Sequence, residues 1–102
     1  MINLGGGVIC DMGGFAAATF KRGIDFIHIP TTLLGMVDAA IGGKTGVDHA
    51  FAKNIIGSIY HPKAVILDLK FLNTMPAVDT LLSFAEIFKI AIIADAQLWQ
   101  TL

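Results

Sequence analysis

Ile2-Asn3-Leu4-Gly5-Gly6-Gly7-Val8-Ile9-Cys10-Asp11 opens the chain, and its reading decides the fold. A short apolar run meets three successive glycines, after which Val8 to Phe20 reads as a helix with small residues on its packing side. The pattern is strand, glycine turn, helix. Glycine lacks a Cβ, so the backbone can take positive φ and approach a ligand, while free N–H groups at a helix start attract phosphate. A pyrophosphate suits such a turn. The six-residue dinucleotide fingerprint, however, needs glycine where Cys10 stands, and strand-to-helix turns also use glycine for shape alone.

Further along, Asp25-Phe26-Ile27-His28-Ile29-Pro30 has the β-branched and aromatic content of a short buried strand ended by proline. Thr31-Thr32 and the apolar Leu33-Leu34-Gly35-Met36-Val37 follow, so one threonine is placed to cap a helix. Hydroxyls just past a strand's carboxyl end also stand where ligands bind in open α/β sheets. A third strand is expected over Ala64-Val65-Ile66-Leu67-Asp68. Strands alternating with helices predict an α/β fold with a parallel sheet.

Between these elements lies the densest polar cluster, Asp38-Ala39-Ala40-Ile41-Gly42-Gly43-Lys44-Thr45-Gly46-Val47-Asp48-His49, then Lys53-Asn54. Gly43-Lys44-Thr45 looks like the end of a Walker A motif, but Ala39 stands where that motif needs its first glycine, which excludes a P-loop. The segment has neither helical nor strand periodicity and is expected to be an irregular loop, either solvated surface or functional.

From Pro76 onward the sequence holds the chain's only glutamate. Apolar residues surround the helix expected over Thr80 to Asp95, which predicts burial. Glu86 and Lys89, three apart, share one face, and a buried pair of this kind is either a structural ion pair or part of a site.

Composition narrows the classes. Of 102 residues 55% are apolar and 15% charged, with a formal net charge of -1, which excludes a disordered tail and a strongly basic nucleic-acid binder. The longest uncharged stretch, Phe26 to Val37, is too short for a spanning helix of roughly 20 residues, so no membrane partner is expected. A single cysteine and a start without a basic, cleavable leader predict a cytoplasmic setting. A mean hydropathy of +0.73 exceeds what one small core needs, so an oligomer interface or further chain is expected to cover the excess.

Taken together, Gly5 to Asp11, Phe26 to Asp38, Gly42 to Asp48, Lys53-Asn54-Ile55-Ile56-Gly57 and Ala85-Glu86-Ile87-Phe88-Lys89 resemble 3-dehydroquinate synthase in ordered series. The resemblance covers nearly all of this chain and well under half of that enzyme. It implies residues 1–75 as the end of an NAD-binding α/β domain and residues 76–102 as the start of a helical metal- and substrate-binding domain. By the same resemblance Gly7, Val8, Ile9, Cys10, Asp11, Thr31 and Thr32 are cofactor contacts, as is the stretch Phe71-Leu72-Asn73-Thr74. Asp38, Lys44, Lys53 and Asn54 hold NAD and the substrate's polar groups. Arg22 reaches the substrate phosphate across a homodimer interface, Lys89 is another anion contact, and Glu86 is a ligand of zinc or cobalt.

The implied reaction cyclises a phosphorylated seven-carbon sugar acid, 3-deoxy-D-arabino-heptulosonate 7-phosphate, to 3-dehydroquinate with loss of phosphate, on the shikimate route to aromatic amino acids. NAD is used and regenerated, and the metal polarises the reacting oxygens. Cys10, Asp48, Ser83, Ile90-Ala91 and Val78 depart from the usual pattern. The family's two histidine metal ligands lie beyond Leu102 and its first strands before Met1, so the chain is expected to be a fragment with little or no activity alone. Rival readings are a neighbouring sugar-phosphate cyclase, a metal-dependent alcohol dehydrogenase, or a non-catalytic nucleotide- or partner-binding remnant. The central expectation is that Glu86, Lys44 and Lys53 converge on one ligand.

Overall fold

A computed structural model describes residues 1–102. Strands β1 (Ile2–Gly5), β2 (Ile27–Pro30) and β5 (Ala64–Val65) form a parallel sheet in the order β1-β2-β5, with Ile2 opposite Ile27 and Ile27 opposite Ala64. Helix α1 (Gly7–Thr19) packs on β1 and β2. Its small residues explain how closely it lies. Cys10 and Ala17 are fully buried, and a Cβ on Gly13 would collide with the Asn3 side chain. Under the helix, Asn3 Nδ2 meets His28 Nδ1 at 3.4 Å, both residues buried. Phe26 lies edge-on to the His28 ring at 4.9 Å and stacks on Tyr60 at 5.7 Å. The α/β reading therefore holds, with α1 over the sheet.

Beyond β2, the Thr32 hydroxyl accepts a hydrogen bond from the Gly35 N–H at 3.1 Å, so Thr32 is the capping threonine. The helix widens immediately afterwards. Gly35–Ala39 is a π-helical turn, closed by the Ala40 N–H donating to the Gly35 carbonyl at 2.9 Å. Such turns recur at functional sites, and this one carries Asp38.

The segment from Gly42 to Asn54 is a structured element, contrary to the expected irregular loop. Strands β3 (Lys44–His49) and β4 (Ala52–Ile59) form an antiparallel hairpin with a register shift between Val47 and His49. Gly46 faces Gly57, and a Cβ on Gly57 would strike the Thr45 carbonyl oxygen. The two glycines allow a close strand crossing and also erase the alternation by which a strand is read. Nearly all of β4 is exposed, so neither of its faces needs an apolar row.

The third sheet strand is shorter than expected, because the Asp68 carboxylate accepts from the Lys70 N–H at 3.0 Å and starts a 3-10 turn over Leu69–Thr74. Helices α2 (Ala77–Ala94) and α3 (Ala96–Thr101) complete the chain. The expected burial of α2 is not met, since only Ser83 and Ala91 are buried, while Leu81, Leu82, Ile92 and Ile93 are about 70% exposed. The physical reason is the lack of cover: α2 packs against α3 and the π-helical turn, which reach only part of a helix that is apolar all round. No helix is long and apolar enough to cross a membrane.

Candidate functional site

Two adjoining cavities open between α1, the π-helical turn and the hairpin. The larger, about 400 Å³, is lined by Asp11, Asp38, Lys44, Asn54 and Ser58 among others. The other, about 390 Å³, is lined by Val8, Met12, Asp48 and Lys53, and shares Asp11, Gly46 and Asn54 with the first. Each charged group is placed by a different element: Asp11 by α1, Asp38 by the π-helical turn, Lys44 and Asn54 by the two hairpin strands.

Lys44 Nζ lies 3.3 Å from Asp38 Oδ1. Two-thirds of the Lys44 side chain is exposed, so the pair adds little to stability and the ammonium is free to take another anion. Asn54 has φ +51°, in the left-handed region that asparagine tolerates better than most residues, and its N–H donates to Asp48 Oδ1 at 2.8 Å. That bond holds the Asn54 backbone while leaving its amide side chain free for the cavity. Burial pushes the Asp11 carboxyl above its ordinary pKa, the negative charges of Asp38 and Asp48 add to the rise, and Lys44 opposes it.

At the glycine turn, the Ile9 and Cys10 N–H groups both donate to the Gly6 carbonyl at 3.1 Å. The helix supplies no acceptor for the N–H groups of Gly7 and Val8. The turn is packed tightly, for a Cβ on Gly6 would stand 3.2 Å from Thr32 Cγ2 and one on Gly7 3.3 Å from Ala39 Cβ. The Cys10 side chain turns inward, and its thiol is pushed up to about 11, chiefly by burial and then by the charge of Asp11.

The structure thus brings Asp11, Asp38, Lys44 and Asn54 around one cavity and Val8 and Lys53 into the next. The remaining sequence-derived residues line neither: Gly7, Ile9, Cys10, Thr31 and Thr32 belong to the turn and the sheet edge, and Phe71-Leu72-Asn73-Thr74 to the 3-10 turn. Arg22, at φ +68°, follows the far end of α1 from the glycine turn and is exposed. Glu86 and Lys89 pair with each other on α2, and this hydrogen bond raises the Lys89 pKa with a smaller contribution from Asp38. The expected convergence of Glu86, Lys44 and Lys53 on one cavity is therefore not met. Lys44 and Lys53 occupy adjoining cavities, and Glu86 lies on a separate helix.

Sequence reading overlooked Thr45, Ser58, Gly46 and Gly57 as cavity walls, because their strands were not recognised. The glycines eleven positions apart were the available signal. No three His, Cys, Asp or Glu side chains come together as a metal centre, and the carboxylate of Glu86 is already engaged by Lys89. These residues alone do not fit a divalent metal. The glycine turn with its free amides, set at the end of a parallel strand beside a cavity holding Asp11, does fit a dinucleotide.

Known proteins resemble this chain in sequence and fold. The curated 3-dehydroquinate synthase of Microcystis aeruginosa is 55% identical over 102 residues, all of this chain and 28% of that protein. That of Buchnera aphidicola subsp. Cinara cedri is 57% identical over 95 residues, 93% of this chain and 26% of that protein. Among solved structures, the 2-epi-5-epi-valiolone synthase of Streptomyces hygroscopicus subsp. jinggangensis, with NAD+ and Zn2+ bound, superposes with a TM-score of 0.92 at 40% identity, covering 97% of this chain and 28% of that one. A 2-deoxy-scyllo-inosose synthase complexed with carbaglucose-6-phosphate, NAD+ and Co2+ superposes with a TM-score of 0.85 at 33% identity, covering 90% of this chain and 26% of that one. The chain spans little more than a quarter of the length of these relatives. Residues 1–81 match the family model for the N-terminal region of 3-dehydroquinate synthase, and with relatives above 50% identical across its whole length the chain belongs to the 3-dehydroquinate synthase family.

Proposed function

We propose that this chain carries the cofactor-facing and anion-binding part of a 3-dehydroquinate synthase, with residues 1–75 belonging to the NAD domain and 76–102 opening the helical domain. The observation that carries the reading is the pair of cavities joining Asp11, Asp38, Lys44, Asn54 and Lys53 beside a glycine turn. NAD bound at that turn would supply a transient oxidation of a substrate hydroxyl, reversed later in the cycle. The chain's own residues bind and orient. Gly7 and Val8 offer amide donors to the pyrophosphate, and Thr31 and Thr32 offer hydroxyls beside it, that of Thr32 with its O–H still free to donate because Gly35 uses only an acceptor site of its oxygen.

Lys44 and Lys53 present cations to the carboxylate and phosphate of a phosphorylated seven-carbon sugar acid, and Asn54 fixes a hydroxyl between them. Arg22 from a partner copy completes the anion contacts in this reading. Lys89 would join them, and Glu86 would turn its carboxylate toward a metal whose other ligands these residues do not include, only by giving up the pair they make with each other. A neighbouring sugar-phosphate cyclase is the nearest rival. The curated 3-dehydroquinate synthases are 55% identical, against 40% and 33% for the cyclases of known structure, which favours the first reading.

Two measurements test it. Calorimetric titration of the chain with NAD should give saturable binding that is weakened in Asp11→Ala. Phosphate release from 3-deoxy-D-arabino-heptulosonate 7-phosphate should stay at background for the chain alone, and reach roughly 1 to 1000 turnovers per second when these residues replace the matching stretch of the Microcystis enzyme. A correctly folded but inactive chimera would refute the proposal.

A further inference from the structure

Helix α1 and the hairpin are joined at a contact made by one residue from each. Gly14 is buried on α1, and a Cβ there would stand 2.6 Å from Thr45 Cγ2. Thr45 is itself 7% exposed. Its hydroxyl is used inside the hairpin, donating to the Ser58 carbonyl at 3.0 Å and accepting from the Ser58 hydroxyl at 2.7 Å. The methyl group alone faces the helix. Gly14 lies three positions after Asp11 and so shares its face of α1, while Lys44 and Gly46, on either side of Thr45, line the cavity that Asp11 also lines. The height of the hairpin above Asp11 is therefore set where methyl meets glycine.

We infer that Thr45 is a positioning residue, whose methyl group seated against Gly14 holds Lys44 and Asn54 opposite Asp11 for an anionic ligand. For the identity of that ligand the inference rests on the function proposed above. For the seating it rests on geometry alone. Alanine is a better helix former than glycine, so Gly14→Ala would raise the melting temperature if nothing leaned on that position. With the methyl of Thr45 in place, the added Cβ instead lifts the hairpin away.

The test uses Gly14→Ala, Thr45→Ser and the double variant of the full chain, read by NMR titration of the Asp11 carboxyl and by NAD calorimetry. In the parent chain Asp11 titrates above the ordinary carboxylate range, under the burial and the Asp38 and Asp48 charges that outweigh Lys44. Gly14→Ala is expected to lower that titration toward the ordinary range, because burial is the largest cause of the rise while Asp38 stays in place, and to weaken NAD binding by about tenfold. Adding Thr45→Ser, which removes Cγ2 and leaves Thr45 Cβ 3.3 Å from the new methyl, is expected to restore both. An unchanged Asp11 titration in Gly14→Ala, or a double variant no better than the single, overturns the inference. Should Gly14→Ala fail to fold, recovery of folding by the double variant supports the contact and its absence overturns it. Should the parent chain bind no NAD, the proposed function falls, and the Asp11 titration decides the seating by itself.

Discussion

His28 shows how much one side chain can be asked to do in a small sheet. It is 2% exposed, accepts a hydrogen bond from Asn3, and is held neutral because burial lowers its pKa below the usual 6.5 with no neighbouring charge to offset the effect. The unfolded chain binds a proton more readily than the folded one, so stability is greatest above about pH 6.5 and falls as the pH drops through that value toward the lower folded pKa. Urea unfolding at pH 7.5 and 5.5 should show this loss, and His28→Gln should flatten it; an equal slope in the variant would move the effect elsewhere. Cys10 makes a second case. Its inward thiol, pushed up to about 11, should resist alkylation by iodoacetamide at pH 8 and react only on unfolding. Rapid labelling of the native chain would contradict that placement.

Among the elements, the hairpin is where sequence and structure part. The strands of the sheet and helix α1 were legible because Ile2 to Leu4 and Phe26 to Pro30 are apolar runs bounded by glycine and proline, and the helix between them repeats small residues on one side. Lys44 to Ile59 offers no such contrast, since polar Lys53 and Asn54 stand in β4 beside exposed Ile55 and Ile56. What defines the hairpin is a backbone constraint, Gly46 against Gly57, and pattern reading does not register the lack of a Cβ as structure. The same constraint yields a prediction. Gly57→Ala places a methyl against the Thr45 carbonyl, so it should destabilise the hairpin by roughly 1–3 kcal/mol and open the β3–β4 amides to hydrogen exchange, while the β1–β2 amides keep their protection. Uniform loss across both sheets would mean that the hairpin is not a separate cooperative unit. The site inherits this split: Asp11 could be placed on its helix from sequence, whereas Lys44 and Lys53 could be named by resemblance but not assigned to separate cavities.

At the scale of the whole molecule the governing fact is uncovered apolar surface. Leu81, Leu82, Ile92 and Ile93 fall on one broad face of α2, and Ile55 and Ile59 add further exposure along β4. Each leucine or isoleucine moved out of water is worth on the order of 1.5–3 kcal/mol, so even a few such side chains shared between copies outweigh the mixing entropy that keeps a dilute chain monomeric. Nothing in the charge pattern opposes this, because a net charge of -1 gives almost no mutual repulsion. The isolated chain should therefore associate at micromolar concentration, seen as a sedimentation coefficient that rises with concentration. Leu82→Gln with Ile93→Gln, both at largely exposed positions, should lower the association without lowering the cooperativity of urea unfolding. A chain that sediments as a monomer throughout would show that α2 folds back over its own apolar sides in solution, and the exposed arrangement of that helix would then have to be abandoned.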